Sequence, residues 1–367
     1  MRALQEQSSL LARLASELEN DRRIIAEHQR TIQALSEKTA AAPVSAPRVA
    51  APAPAPPPPA IMVDTAGSKI RIGGLVQGWY SVSDGGGVDT FRLRRTELKL
   101  SGEISPRTRW TLMLDPLKTT APLQDAVVAL QQSPALTIEV GQQKLPLGFE
   151  GTQSSSKLDT VERALFITDK ARGGGYADIR DLGVMARGKV AGGQIEYAAG
   201  VFNGLGESMN DIDKNEEKAL ALRTVIRPRA VKGLQLGGTF AQGAFKSDDS
   251  TRRVRQGPEA SFARGIFSAR SEVMFGADGV VRRRGYYAQG GLRATRRLEA
   301  IVRTDVWDPD TRSESNKTTV TERDWLGGLN WQVSGPAVLI QLNYIRKTFN
   351  DVQAPRNVLL ANLQTAW

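Results

Sequence analysis

The chain has 367 residues, 40% apolar and 24% charged, with 35 Gly, 18 Pro, one His and no Cys. The absence of cysteine excludes thiolate nucleophiles, thiolate metal sites and disulfide scaffolds, and the single histidine, His28, excludes a metal or haem centre built on several imidazoles. Of the formal charge of +10, residues 1–60 supply 7 Lys/Arg against 6 Asp/Glu, which leaves 42 against 33, an excess of +9, beyond residue 60. That excess suits nucleic acid, anionic lipid or small anions as partners, and no apolar run of about 18 residues is present to cross a membrane as a helix.

Residues 1–38 read as one helix. Leu4, Leu11, Leu18, Ile25 and Ile32 recur every seven residues, with Gln7, Leu14, Asp21, His28 and Leu35 on the second seam. This is a coiled-coil pattern, in which Leu11, Leu18, Ile25 and Ile32 form an oligomerisation seam and the polar residues of the second seam set register at a cost in stability. Residues 39–66 read as a linker, and within them the Pro/Ala tract 40–60 has no apolar periodicity. In polyproline II geometry, at about 3.1 Å per residue, that tract spans roughly 60 Å.

From 67 to 367 the period changes from helical to two. Ile70, Ile72, Val76 and Tyr80 share one face, and Trp110, Leu112 and Leu114 alternate with Arg109, Thr111 and Asp115. Leu136, Ile138 and Val140, then Ile195, Tyr197, Ala199 and Val201, then Val338, Ile340, Leu342 and Tyr344, and finally Leu359, Ala361 and Leu363 repeat the pattern. Alternation over so many segments means sheet. About sixteen segments are counted, with short connections near Ser105–Arg107, Ser133–Ala135, Ala191–Gly193, Phe267–Ser268, Ala294–Arg297 and Ser334–Pro336. Long polar connections are expected at Ser81–Thr90, Lys144–Leu182, Asn203–Glu217, Ala244–Gln256, Asp308–Val320 and Asn350–Arg356. Short turns at one end and long loops at the other predict an all-β chain forming a closed antiparallel transmembrane β-barrel of about 16 strands, outside a helical segment and a linker.

Several blocks carry a family resemblance. They are TFRLRRTELKLSG (Thr90–Gly102), VGQQKLPLGFE (Val140–Glu150), SSSKLDTVER (Ser154–Arg163), DIRDLGV (Asp178–Val184) and a last strand ending in Trp367. In order and placement the chain resembles the phosphate-selective porin O/P family of Gram-negative outer membranes. The resemblance implies a trimeric barrel in the cell outer membrane, passing small anions by passive diffusion, with the loop Lys144–Leu182 folded into the lumen. The residues themselves give no phosphate-cradling loop, and the one histidine, His28, lies in the helical segment, so no enzyme activity, no cofactor and no metal is expected.

In such a barrel the outward face is apolar and the inward face polar. That phase turns Arg92 and Arg94 inward, opposite Phe91 and Leu93. It then slips at Arg95, and a bulge there places Glu97 and Lys99 inside. The same reasoning assigns Arg109, Arg187, Lys189, Arg223 and Arg227 to the lumen, and Lys144 opens the long loop. Arg92, Arg94, Lys99, Arg109, Lys144, Arg187 and Arg223 are therefore the candidate pore-lining, anion-contacting residues. The loop holds Lys144, Lys157, Arg163, Lys170, Arg172 and Arg180 against Glu150, Asp159, Glu162, Asp169, Asp178 and Asp181, so it brings no cationic excess of its own. A second reading makes the barrel an anchor tethering the envelope to peptidoglycan through the periplasmic coiled coil. Nucleic acid is disfavoured as a partner because the cations are spread through strands rather than clustered with aromatics. Export requires a signal segment, which Met1–Leu4 does not open, so one is expected upstream.

Overall fold

The computed structural model describes residues 61–367, apart from 66–67, 87, 207–208, 246–247, 313–315, 318 and 351–352, together with residue 29. The heptad seam at Leu11, Leu18, Ile25 and Ile32 and the Pro/Ala tract lie outside the described residues.

The strands are β1 (Ile61–Thr65), β2 (Ser68–Ser83), β3 (Thr90–Ser105), β4 (Thr108–Leu114), β5 (Leu123–Ser133), β6 (Leu136–Lys144), β7 (Arg180–Val190) and β8 (Ile195–Phe202). They continue with β9 (Ala219–Ile226), β10 (Leu234–Phe245), β11 (Asp248–Arg264), β12 (Phe267–Asp278), β13 (Val281–Arg293), β14 (Leu298–Asp308), β15 (Glu322–Ser334), β16 (Val338–Phe349) and β17 (Arg356–Ala366). From β2 onward each strand pairs antiparallel with the next, and β17 returns to pair with β2 through contacts such as Leu363 opposite Gly78. Sixteen strands, β2–β17, thus close a barrel and leave no free edge in its wall. The short β1 folds back on the start of β2, Thr65 opposite Ser68.

One barrel end carries short turns such as 106–107, 134–135 and 265–266, and the other carries the long loops 145–179, 203–218 and 309–321. The segregation has three exceptions: β10–β11 and β12–β13 join through 246–247 and 279–280 at the long-loop end, and β9–β10 through 227–233 at the turn end. The long loop expected at Ala244–Gln256 is therefore corrected: most of it is strand, with Gly243 opposite Arg253 and Ala241 opposite Arg255. The charge that reads as loop there belongs to inward arginines, since Arg253 and Arg255 both reach Asp278, at 3.2 and 2.7 Å.

The apolar partner of each alternating pair faces outward, with Val140 at 45%, Leu342 at 42% and Leu363 at 58% exposure. Aromatic residues collect at both ends of this surface. Trp110, Phe267 and Trp331 lie towards the short turns, and Phe91, Phe275, Trp325 and Tyr344 towards the loops. Phe267 and Phe275 are eight residues apart on β12. At about 3.3 Å per residue and a tilt of roughly 40°, that is about 20 Å along the barrel axis. An apolar band of that height between aromatic girdles is the outer surface of a barrel that sits in a bilayer.

The register shift in β3 falls where the apolar phase slips: Gln77 stands opposite Arg95 and Gly78 opposite Leu93, which leaves Arg94 as the extra residue. Arg94 and Arg95, adjacent in sequence, consequently both reach the same inward group, Glu162.

The main apolar cluster lies inside the barrel. Leu147, Phe166, Tyr176 and Ile179 of loop 145–179 pack on Phe202, Met274, Tyr287 and Trp307 of the wall. Tyr176 meets Trp307 edge-on at 5.3 Å between centroids. Glycines make the room: a Cβ at Gly276 would overlap the Tyr176 ring, and one at Gly285 would overlap Phe166.

Candidate conduction pathway

The loop 145–179 crosses the lumen, so its backbone polar groups cannot join the sheet and must find partners among inward side chains. Successive strands supply them. Thr239 on β10 accepts from Gly148 N at 3.0 Å, and Glu272 on β12 accepts from Phe149 N and Glu150 N at 3.1 and 3.2 Å. Asp305 on β14 accepts from Leu165 N at 3.1 Å, and Asn343 on β16 from Val161 N at 2.8 Å. In the opposite sense, Asn330, Gln341 and Gln364 donate to the carbonyls of Asp159, Leu158 and Ser156, at 2.8, 3.0 and 3.0 Å. At about 1 kcal/mol each, such bonds together outweigh the tendency of a long loop to swing free.

Ion pairs add a second set of ties. Arg303 on β14 pairs with Glu150 at 2.6 Å, both fully buried, and lies over the Tyr287 ring at 3.9 Å. Arg270 on β12 pairs with Asp159 at 2.6 Å. Glu162 takes Arg94 at 3.0 Å and Arg95 at 3.2 Å. Burial alone would raise the Glu162 carboxyl, but Arg95 and Arg94 outweigh it and hold it below the ordinary glutamate value. Asp178 receives Lys144 at 2.6 Å and Arg163 at 3.2 Å, with Arg180 at 3.8 Å. There too burial raises the carboxyl, and the three cations, Lys144 first, carry it well below the usual carboxylate range. The loop's equal count of acids and bases is thereby resolved: five of its acids are tied to wall or loop cations, while Lys157 stands in no ion pair among the described residues.

Because the loop's apolar residues pack on β7–β10 and β12–β14, the opposite side of the lumen stays open. A cavity of about 550 Å³ runs along β2–β7 past Thr152–Lys157. Its cationic lining is Lys99, Lys144, Lys157, Arg180 and Arg187, and its acidic lining is Glu97, Asp125 and Glu139. Asp125 is neutralised by Arg180 at 2.7 Å and Glu139 by Arg187 at 3.2 Å. A second cavity, of about 370 Å³, lies towards the loop end and is lined by Trp79, Arg92, Glu162, Asp324 and Lys347 among others. The two bracket the inserted loop.

The candidate residues fall into this frame as follows. Arg92 lines the loop-side cavity, its guanidinium 4.9 Å above the buried Trp79 ring. Arg94 is spent on Glu162. Lys99 lines the larger cavity, exposed and in no ion pair among the described residues. Arg109 is exposed near the turn end and donates to Gln131 at 2.6 Å. Lys144 is half-buried on Asp178 and also donates to the carbonyls of Gly151 and Gln153, both at 3.1 Å. Arg187 pairs with Glu139, and Arg223 with Glu259 at 2.5 Å. Lys189 and Arg227 converge on Glu196, at 3.7 and 3.0 Å. Sequence reasoning missed Arg95, Arg180, Arg270 and Arg303 as ties to the loop. Arg270 lies between Ala269 and Ser271, too small to mark a phase, whereas Arg303, next to Val302, carried a usable signal.

A closed sixteen-strand barrel with an apolar belt, aromatic girdles, a charged lumen and an inserted loop defines an outer-membrane porin, a channel. The family model described as phosphate-selective porin O and P matches residues 71–276, and the chain belongs to that family. The barrel is similar to the anion-selective porin from Comamonas acidovorans, at 12% identity and a TM-score of 0.58, covering 82% of this chain and 100% of that one. It is also similar to the outer membrane channel DcaP of Acinetobacter baumannii (10% identity, TM-score 0.59, 83% and 99% covered). A third likeness is to the trimer form of OmpT of Vibrio cholerae (8% identity, TM-score 0.57, 82% and 100% covered). At these identities the likeness is one of fold. No curated protein matches the sequence.

Proposed function

We propose that this porin passes small anions in preference to cations, with Lys99 and Lys157 as the residues that bias it. The observation carrying this reading is the lining of the larger cavity, five cationic side chains against three acidic, of which Lys99 and Lys157 stand in no ion pair among the described residues. A water-filled lumen lets such charges attract anions without binding them tightly, so the preference is a weak one. Arg92 extends it into the loop-side cavity, and Arg109 and Arg187 towards the turn end. The name of the Comamonas neighbour, an anion-selective porin, supports the same direction. The working unit is read as a homotrimer, supported by the trimeric OmpT form of the same fold, with residues 1–38 as a periplasmic coiled coil that reaches towards the cell wall. Planar-bilayer recording under a salt gradient tests the selectivity: a reversal potential of the anionic sign supports it, and one of the cationic sign overturns it.

A further inference from the structure

A substantial part of the basic excess does not face the lumen. Register places Arg282 opposite Ala277 and Arg284 opposite Phe275, Arg323 opposite Val306, Arg346 opposite Trp325, and Arg252 opposite Ala244. Those rows belong to the outward face, because their immediate neighbours along each strand are the inward residues: Arg253, Arg283 and Lys347 turn to Asp278, Asp278 and Asp324. All five arginines are exposed, and all sit at the long-loop end, within the first few residues of β11, β13 and β15 and the last few of β16. At the turn end the outward face of the described strands carries Arg264 alone.

Three of them repeat one local arrangement. Tyr286 lies two residues below Arg284, Trp325 two below Arg323 and Tyr344 two below Arg346, on the same face and nearer the apolar band. An aromatic ring at the edge of the hydrocarbon with a guanidinium about 7 Å beyond it along the strand places the cation at headgroup level. Among the described residues only Arg252 stands in an ion pair, with Glu217 at 3.1 Å; Arg282 donates to the carbonyl of Gly279 and Arg346 to Asn357. Arg284 and Arg323 stand in no ion pair among the described residues. All five are arginine rather than lysine, and the planar guanidinium fork suits a phosphate dianion in bidentate contact.

We propose that Arg282, Arg284, Arg323 and Arg346, flanked by Arg252, form an outer-leaflet belt that binds the phosphate groups of phosphorylated lipid headgroups. The asymmetry between the two barrel ends selects the outer leaflet, and the belt acts independently of the conduction pathway on the other face of the same strands.

The test uses the full-length protein in detergent, titrated with diphosphorylated lipid A and followed by native mass spectrometry. The variant carries Arg282→Gln, Arg284→Gln, Arg323→Gln and Arg346→Gln, and heat-dependent gel migration confirms that its barrel is closed. The wild type is expected to retain the lipid more weakly as salt rises, and the variant to bind it at least roughly tenfold more weakly, at unchanged single-channel conductance. If the four-fold variant does not close, Arg282→Gln with Arg284→Gln and Arg323→Gln with Arg346→Gln are measured separately, each expected to lose part of the affinity. Equal affinity in the variants overturns the proposal, as does equal binding of lipid A stripped of phosphate. Competition by inorganic phosphate that disappears with Lys99→Gln and Lys157→Gln also overturns it, because the site would then be in the lumen.

Discussion

Reversing Lys99 and Lys157 to glutamate changes the charge beside the larger cavity by four units, taking its lining from five cations against three acids to three against five. For an ion passing at about 10 Å, one unit charge in water is worth roughly 0.4 kcal/mol, reduced by screening at 0.1 M salt to about 0.15 kcal/mol. Four units give about 0.6 kcal/mol, which lowers anion occupancy and raises cation occupancy by nearly threefold each, so the anion-to-cation permeability ratio should fall about eightfold. At 1 M salt, where the Debye length is about 3 Å, the same change should alter the ratio by only about 1.2-fold. The assay is the reversal potential of Lys99→Glu with Lys157→Glu in planar bilayers at both salt concentrations. A shift that is absent at low salt, or equal at both, would refute the reasoning, since ions would not then pass beside these lysines.

Gly276→Val puts a Cβ and two methyls where the Tyr176 ring sits, and overpacking of this kind costs about 1–3 kcal/mol; the inserted loop should shift and single-channel conductance rise, so an unchanged conductance would contradict the packing. Glu162 and Asp178 have carboxyls held below their ordinary values, so the ties by which they hold the loop to the wall are complete above about pH 4 and are lost only as pH falls through the depressed values. The difference in conductance between the wild type and Glu162→Gln with Asp178→Asn should therefore stay level from pH 8 down to about 4 and fade only below it; a difference that fades between pH 5 and 7 counts against this assignment. Finally, a peptide of residues 1–38 should self-associate in sedimentation equilibrium, and Leu18→Asp with Ile25→Asp should abolish that. A monomeric wild-type peptide at high concentration removes the coiled coil.

The wall was legible because its period is two and its contrast strong. In β16 Val338, Ile340, Leu342 and Tyr344 alternate with Leu339, Gln341, Asn343 and Ile345, and the apolar–polar difference at the centre sets the phase. The slip near Arg95 was legible for the same reason, since Phe91–Leu93 and Leu98–Leu100 cannot share a face without an extra residue between them. The two-residue connection 279–280 was not, because it has no polar length to announce it. What holds the loop was hidden for a deeper reason. Arg303 and Glu150 are 153 positions apart, and no local pattern says that an inward arginine will meet a loop acid rather than water. The basic excess misled in one respect: a net charge has no face, and only register shows that five of its arginines point away from the channel.

The ring is joined where its first and last strands meet, and the inserted loop lies across that join. Gln77 on β2 donates to Gln364 on β17 at 2.6 Å and to the carbonyl of Ser155, while Gln364 donates to that of Ser156. On the outer side of the same junction the Trp367 ring occupies the space a side chain at Gly74 would take, and the two backbones exchange hydrogen bonds at 2.9 and 3.1 Å. The loop is made in the first half of the chain, but Gln364, its partner on the far side of the join, is in place only once β17 has arrived. Docking of Ser155 and Ser156 across the join thus reports that the circle is complete, as a latch seats only when both leaves of a door have met. A chain stalled before its last strand would present an unlatched loop together with a bare edge, two marks by which an unfinished barrel differs from a finished one.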